Sequence, residues 1–337
     1  MARLCLALLL VFAGCAHAPA AVDPLAQPES ALLAGQVVAV AYSGYRAGQH
    51  PDRGEGAVEP SDAELQEDLQ ILAAAGLRLI RLYDAGELSA RVLALIEARK
   101  LPMKVMLGAW LEAEVSNHEG CPWLTAPIPE ERLTANTIRN ADEVARVIAL
   151  ANAHPEVVVA VNVGNEAMVS WNDHMVPLQA MLRYLRQVRG AIRQPVSTAD
   201  NYVVWAEQGP ALAEAVDFAA VHTYPAWEGK TVEEGLAFTV ENLLAVRRAV
   251  PGLRLVIGEA GWPTVASEFG ARASEAHQAR YVAELVAWAR THAVTTFLFE
   301  AFDEDWKGDP KDPDGAEKHW GLYTLGREPK PAAARLR

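Results

Sequence analysis

The chain has 337 residues, 51% hydrophobic and 22% charged, enough to bury a large core in one α/β barrel or in two smaller domains. Its net charge of −13, with no basic run along the sequence, argues against nucleic acid or anionic lipid as a partner. The acidic balance otherwise bears on solubility alone.

Residues 1–14, MARLCLALLLVFAG, place one cation, Arg3, before an apolar run too short to span a bilayer. They close on FAGCA, which resembles the lipobox of bacterial lipoproteins, where the cysteine becomes the lipidated first residue. Cys15 takes that place, although Phe12 stands where leucine is usual. The alternative is an ordinary secretory signal cleaved near Ala16 or Ala18. Either reading exports the protein to the periplasm or cell surface; in the lipoprotein reading, lipid on Cys15 is its sole membrane attachment. Residues 15–34 read as an Ala- and Pro-rich tether and 35–337 as one folded domain. With Cys5 in the signal and Cys15 lipidated, Cys121 has no partner, so neither a disulfide framework nor a cysteine-based zinc site is expected.

Apolar runs at 37–42, 77–83, 103–109, 157–163, 195–199, 218–222, 253–257 and 295–299 predict eight strands. After the first, Ser61 and Glu64 spell a capping box, Leu65, Leu69 and Leu72 line a helical face, and Gly76 supplies the stop. Leu88, Val92, Leu95 and Ile96 mark the next helix. Leu178, Leu182 and Leu185 follow Pro177, a residue suited to a first helical turn, and Val282, Leu285 and Val286 stripe a later one. Alternating units with near-continuous apolar strands imply a parallel sheet covered by helices. Eight in a row favour a closed (β/α)8 TIM barrel over an open doubly wound sheet, and YSGYRAGQH after the first strand is no G-x-G-x-x-G turn. Two long strand-to-helix connections, 111–136 and 303–320, fall on the C-terminal rim of such a barrel.

Two of the predicted strands end alike. VVVAVNVGNEA (157–167) closes on Glu166 and RLVIGEAGWPT (254–264) on Glu259. Just past the fourth and seventh strands of a barrel, these acids face each other across one mouth. Two carboxylates across a cleft can cleave a glycosidic bond, one donating a proton to the leaving oxygen and the other attacking or activating water. A gap of about 5–5.5 Å gives retention and a wider one inversion. Glu166 could instead serve only a helix N terminus, where an acid gains about 0.3–1 kcal/mol from the dipole. Tyr42, Tyr83, Tyr202, Trp205, Tyr224, Trp227, Trp262, Phe299 and Trp306 all fall at or just after strand ends. They suit the apolar faces of sugar rings better than a barrel core, which favours Val, Ile and Leu.

From about Val37 to Tyr323 the chain resembles the family 17 glycoside hydrolases of clan A, the β-1,3-glucanase family. The resemblance rests on IRLYD (80–84), VGNE (163–166), HTYPAW (222–227), GEAGWPT (258–264), FEAFDEDWK (299–307) and EKHWGLY (317–323), in that order. It implies a catalytic domain that works by retaining double displacement, with Glu166 as acid/base and Glu259 as nucleophile, and no cofactor or metal. It implies further that Asn165 binds the sugar 2-hydroxyl, that Tyr224 bonds the nucleophile, and that Glu304 and Lys307 tune the charge nearby. The lysine would depress a neighbouring carboxylate while burial raises the acid. Tyr42, Arg81, Tyr83, Asp84 and Trp262 are matched as subsite residues, joined by Tyr202, Trp227 and Phe299 from the aromatic set. Arg81 reads equally well as a buried partner of Asp84. AYSGYRAGQHPDRG after the first strand and DEDW after the eighth depart from plant members and resemble bacterial ones, some of which transfer glucosyl units between β-1,3-glucan chains. The 111–136 connection is expected to close one end of a shortened groove.

Hydrolysis of β-1,3-glucan or its oligosaccharides is the leading expectation. A glucanosyltransferase with the same residues is its rival, and a lipoprotein that binds glucan without cleaving it is a third reading, against which both intact acids speak. A metal-dependent hydrolase is disfavoured, because His118, His154, His174, His222 and His319 show no H-E-x-x-H or comparable spacing. A monomer is expected, with no nucleic-acid partner.

Overall fold

The computed structural model describes residues 23–27, 38–52 and 56–336. The signal, Cys15 and most of the 15–34 tether lie outside the described residues.

Each predicted apolar run yields a strand. In chain order these are β1 (Val38–Ala41), β2 (Leu79–Arg81), β3 (Lys104–Ala109), β4 (Val158–Asn165), β5 (Val196–Asn201), β6 (Phe218–Thr223), β7 (Arg254–Ala260) and β8 (Thr296–Leu298). Between them lie α1 (Asp62–Ala74), α2 (Glu87–Arg99), α3 (Glu130–Ala153), α4 (Leu178–Ala191), α5 (Tyr202–Leu212), α6 (Val232–Ala249) and α7 (Glu275–Thr291). All strand pairs are parallel and β8 returns to β1, so the sheet is a closed barrel and not an open one.

Local chemistry sets the boundaries. Ser61 accepts the Glu64 N–H while the Glu64 carboxylate accepts the Ser61 N–H, the expected capping box of α1. Pro177 stands at the cap of α4, one residue before the helix and not inside its first turn. Pro129 plays the same part for α3. That helix therefore begins at Glu130, and the third connection spans 110–129, shorter than the 111–136 read from sequence.

Two apolar layers hold the barrel. Ala39, Met106, Phe218, Val256 and Phe297 belong to a buried cluster on the strands alone. A far larger one joins the outer strand faces to helix residues such as Leu65, Val92, Val144 and Leu185. Among the described residues no eighth long helix follows β8. The chain bridges Phe302 to Tyr323 and Tyr323 to Pro329, then ends in a short turn (Ala333–Arg335) beside α7. No helix among the described residues is long and apolar enough to cross a membrane.

The segment 23–27 docks on the opposite face, the barrel floor. The Gln27 amide both accepts the Leu255 N–H and donates to the Leu255 carbonyl, each at 2.8 Å, Leu25 is buried, and Asp23 meets His292 at 2.9 Å.

Candidate active site

A glycine precedes each of the two acids within two residues, and each has a steric reason. Gly164 in β4 has φ of +81°, and a Cβ there would meet Met181 Cε at 2.7 Å. The β4–β5 register slips between Asn162 and Asn165, so Asn165 and Glu166 turn out of the ladder. Glu166 itself has φ of +45°, a left-handed conformation that costs a non-glycine residue about 1–3 kcal/mol and persists only where the surroundings enforce it. They do so here. Its N–H donates to Ala199 O, and Asn172 Nδ2 donates to its carbonyl at 3.2 Å and its Oε2 at 3.4 Å. Asn117, from the 110–129 connection, donates to the carbonyls of Ser170 and Asn172, and buried Asp200 accepts the Met168 N–H. After Glu166 no helix starts until Leu178, so Glu166 does not serve a helix N terminus.

Glu259 lies inside β7, one residue before its end, and not past the strand as the sequence suggested. The ladder slips on both sides of it, and a Cβ on Gly258 would stand 3.1 Å from the His222 ring, so any larger residue would push that imidazole by a few tenths of an ångström. The Glu259 carboxylate receives Arg81 Nη1 at 2.7 Å and Tyr83 OH at 2.9 Å on Oε1, and Tyr224 OH at 2.5 Å on Oε2. Burial works to raise this carboxyl, but His222, Arg81 and the two phenols outweigh it and hold it below the usual glutamate value. Burial and the Glu259 charge push both phenols well up, so Tyr83 and Tyr224 stay protonated donors. Arg81 does not pair with Asp84. That carboxylate accepts the Gly86 N–H and the Ser89 hydroxyl at the start of α2, both on Oδ1.

His222 ties the acids together, a part the sequence did not disclose although the residue stands in the HTYPAW motif. Its Nδ1 lies 3.1 Å from Glu166 Oε1 and 3.4 Å from Glu259 Oε2. Its Nε2 lies 3.0 Å from Arg81 Nη1, and a guanidinium can only donate. Nε2 is therefore the acceptor and Nδ1 carries the proton shared between the acids. Because both oxygens are within 3.4 Å of one atom, they are less than about 7 Å apart. Asn165 is fixed from both sides: its Oδ1 accepts Arg81 Nη2 at 2.6 Å, and its carbonyl lies 2.9 Å from His174 Nε2.

Beyond Glu259, Lys307 Nζ sits between Glu300 at 2.5 Å and Glu304 at 2.7 Å, and 4.6 Å over the Phe299 ring. Phe299 meets Tyr224 edge-on, which links this group to the phenol bonded to Glu259. Burial raises Glu300 well above the ordinary value. Burial also opposes the Glu304 charge, but Lys307 and the Ser43 hydroxyl outweigh it and keep that carboxyl low. Glu300 was missed in the sequence because an acid directly after Phe299 reads like part of an acidic loop. Glu317, on the 303–320 connection, is pushed up to about 7 by burial, opposed by Lys307 and reinforced by the charges of Glu166 and Glu259.

The aromatic set divides. Tyr42 is 1% exposed with its hydroxyl on Asp68, itself bound by Arg46 and Arg327, and Trp262 is fully buried with its indole N–H on Arg272 O. Neither can reach a ligand, which corrects both subsite readings. Trp205 is likewise core. Tyr202, at the start of α5, packs edge-on to Phe238. Trp227 is exposed and leans on Phe269 and Trp320, and Trp123 and Trp171 expose their indoles on the third and fourth connections.

Glu166 and Glu259 thus meet at the mouth of a closed parallel barrel with His222, Arg81 and two phenols around them. The chain belongs to the BtgE/BtgC glycoside hydrolase domain family, whose model matches residues 39–321. It is 27% identical over 286 residues to a glucan 1,3-beta-glucosidase of Arthroderma benhamiae, covering 80% of this chain and 83% of that one. An endo-laminarinase from Formosa Hel1_33_131 superposes with a TM-score of 0.74 at 26% identity, covering 87% and 85% of the two chains. A family 17 beta-1,3-glucanosyltransferase from Rhizomucor miehei shares the fold with a TM-score of 0.68 at 20% identity, over 89% and 97%.

Proposed function

We propose that the protein cleaves β-1,3-glucan or its oligosaccharides with retention of configuration. The observation that carries this reading is the convergence of Glu166 and Glu259 on His222 Nδ1, which favours the close spacing of a retaining pair over the wider gap that accommodates an inverting water. Glu259, held ionised, attacks the anomeric carbon while Glu166 protonates the leaving oxygen. Glu166 then removes a proton from water, which opens the glycosyl ester on Glu259. The glucan substrate is supported by the glucosidase and laminarinase relatives.

A transfer reaction uses the same groups when a sugar hydroxyl takes the place of water. Exposed Trp171, on the connection that carries Glu166, offers such an acceptor an apolar face. Export, with a lipid on Cys15, completes the proposal and rests on the N-terminal sequence.

Incubation with linear β-1,3-gluco-oligosaccharides, followed by mass spectrometry and anomeric NMR, tests it. Shorter products released first as the β-anomer are expected. Products longer than the substrate make the protein a transferase, and first release of the α-anomer overturns retention.

A further inference from the structure

The sequence shows no basic run, yet the topology gathers cations on one face. Every helix-to-strand connection of a barrel lies on its floor. Arg78 precedes β2, Arg99 and Lys100 end α2, Arg193 precedes β5, Arg248 ends α6 and Arg254 opens β7. Among the described residues none of these six has a carboxylate partner: of the floor acids Glu97 lies against His154, Asp217 against Arg189, Glu214 against Arg186 and Asp23 against His292, which leaves Glu156 as the one carboxylate on the floor connections without an ion pair. A cation in a last helical turn is an ordinary dipole partner, which accounts for Arg99 and Arg248. It does not account for Arg78, Arg193 or Arg254, which stand at or just before strand starts. Burial and the nearby Arg254 charge also push the Arg247 guanidinium below its ordinary value, the mark of like charges crowded without an acid. The mouth is the reverse, with Asp303, Glu304, Asp305, Asp309, Asp312 and Asp314 on one connection.

We infer that the barrel floor is a docking surface for an anionic lipid bilayer, which holds the catalytic mouth away from the membrane. The docked segment 23–27 fits this arrangement. It brings the chain to the floor between β7 and α7, and the stretch from Cys15 to Asp23 extends at most about 28 Å. A lipid on Cys15 would thus be tethered on the basic side, and one acyl anchor with a polybasic patch gives the two signals that stable attachment needs.

The probe is a phosphatidylcholine vesicle with or without phosphatidylglycerol. The protein begins at Asp23, which retains every strand and helix among the described residues and omits Cys15. Sedimentation with the phosphatidylglycerol vesicles alone, reversed by salt, is expected. A variant carrying Arg78→Glu, Arg193→Glu and Arg248→Glu, with an unchanged melting temperature, should lose at least about tenfold in vesicle affinity. On the vesicle, Lys100 should lose reactivity to an amine-acylating reagent while Lys311, on the mouth side, keeps its own. Equal binding to both vesicles, an unaffected triple variant, or protection of Lys311 in place of Lys100 overturns the inference. Because Cys15 is absent and no turnover is read, any of these failures leaves the lipid anchor and the glycosidase reading standing.

Discussion

Glu259 takes hydrogen bonds from Arg81, Tyr83 and Tyr224, faces His222, and keeps 6% of its side chain exposed. Among the described residues the carboxylate of Glu166, at the matching end of β4, meets His222 and Asn172, and it keeps 21% exposed. A nucleophile must hold its charge until it attacks, so a ring of donors suits it. A group that gives up a proton and takes one back in each cycle is better served by few donors and access to water. The difference in surroundings, more than the identity of the residues, supports the proposed division of roles.

The largest effect expected from breaking this contrast is in Glu259→Ala, which should lower kcat/KM on β-1,3-gluco-oligosaccharides by at least about 10⁴-fold. Arg81→Met comes next. It removes a cation from a buried pair and should destabilise the fold by about 3–5 kcal/mol, read by denaturant unfolding at neutral pH. Glu259 is depressed in the folded state, so its contribution to stability is present above the unfolded value of about 4.3 and lost as pH falls through the lower folded value. The gap between wild type and Arg81→Met should therefore narrow in acid. The acid limb of kcat/KM should move to higher pH in the variant.

His222→Ala should cost about 10–100-fold in kcat/KM, the worth of a hydrogen bond to a charged group. His222→Asn keeps an N–H close to the position of Nδ1 and should recover most of that loss, which a purely space-filling role would not allow. Glu317→Gln is the mildest. Glu317 is raised to about 7, so its contribution to stability is full below about 4.3 and lost as pH rises through about 7. The variant should gain melting temperature over wild type above about 7 and gain nothing in acid.

The barrel was legible because alternating apolar runs and amphipathic helices leave few other folds, and the two Gly-containing strand ends pointed to Glu166 and Glu259. Tyr42 and Trp262 misled for one shared reason. Proximity to a strand end in sequence does not say which side of the strand a side chain takes, and both turn outward under the helices. His222 was hidden because its importance lies in three partners, Arg81, Glu166 and Glu259, that come from three other strands or their ends. The basic floor was invisible because its members are scattered through the sequence and meet only once the barrel closes.

Azide rescue tests the division of roles most directly. With an aryl β-1,3-gluco-oligoside, Glu166→Ala should leave a glycosyl-enzyme that azide intercepts to give the β-glycosyl azide. Glu259→Ala should give only the α-glycosyl azide, because azide then enters from the face the missing carboxylate occupied. The β-azide from Glu259→Ala, or the α-azide from Glu166→Ala, would contradict the assignment.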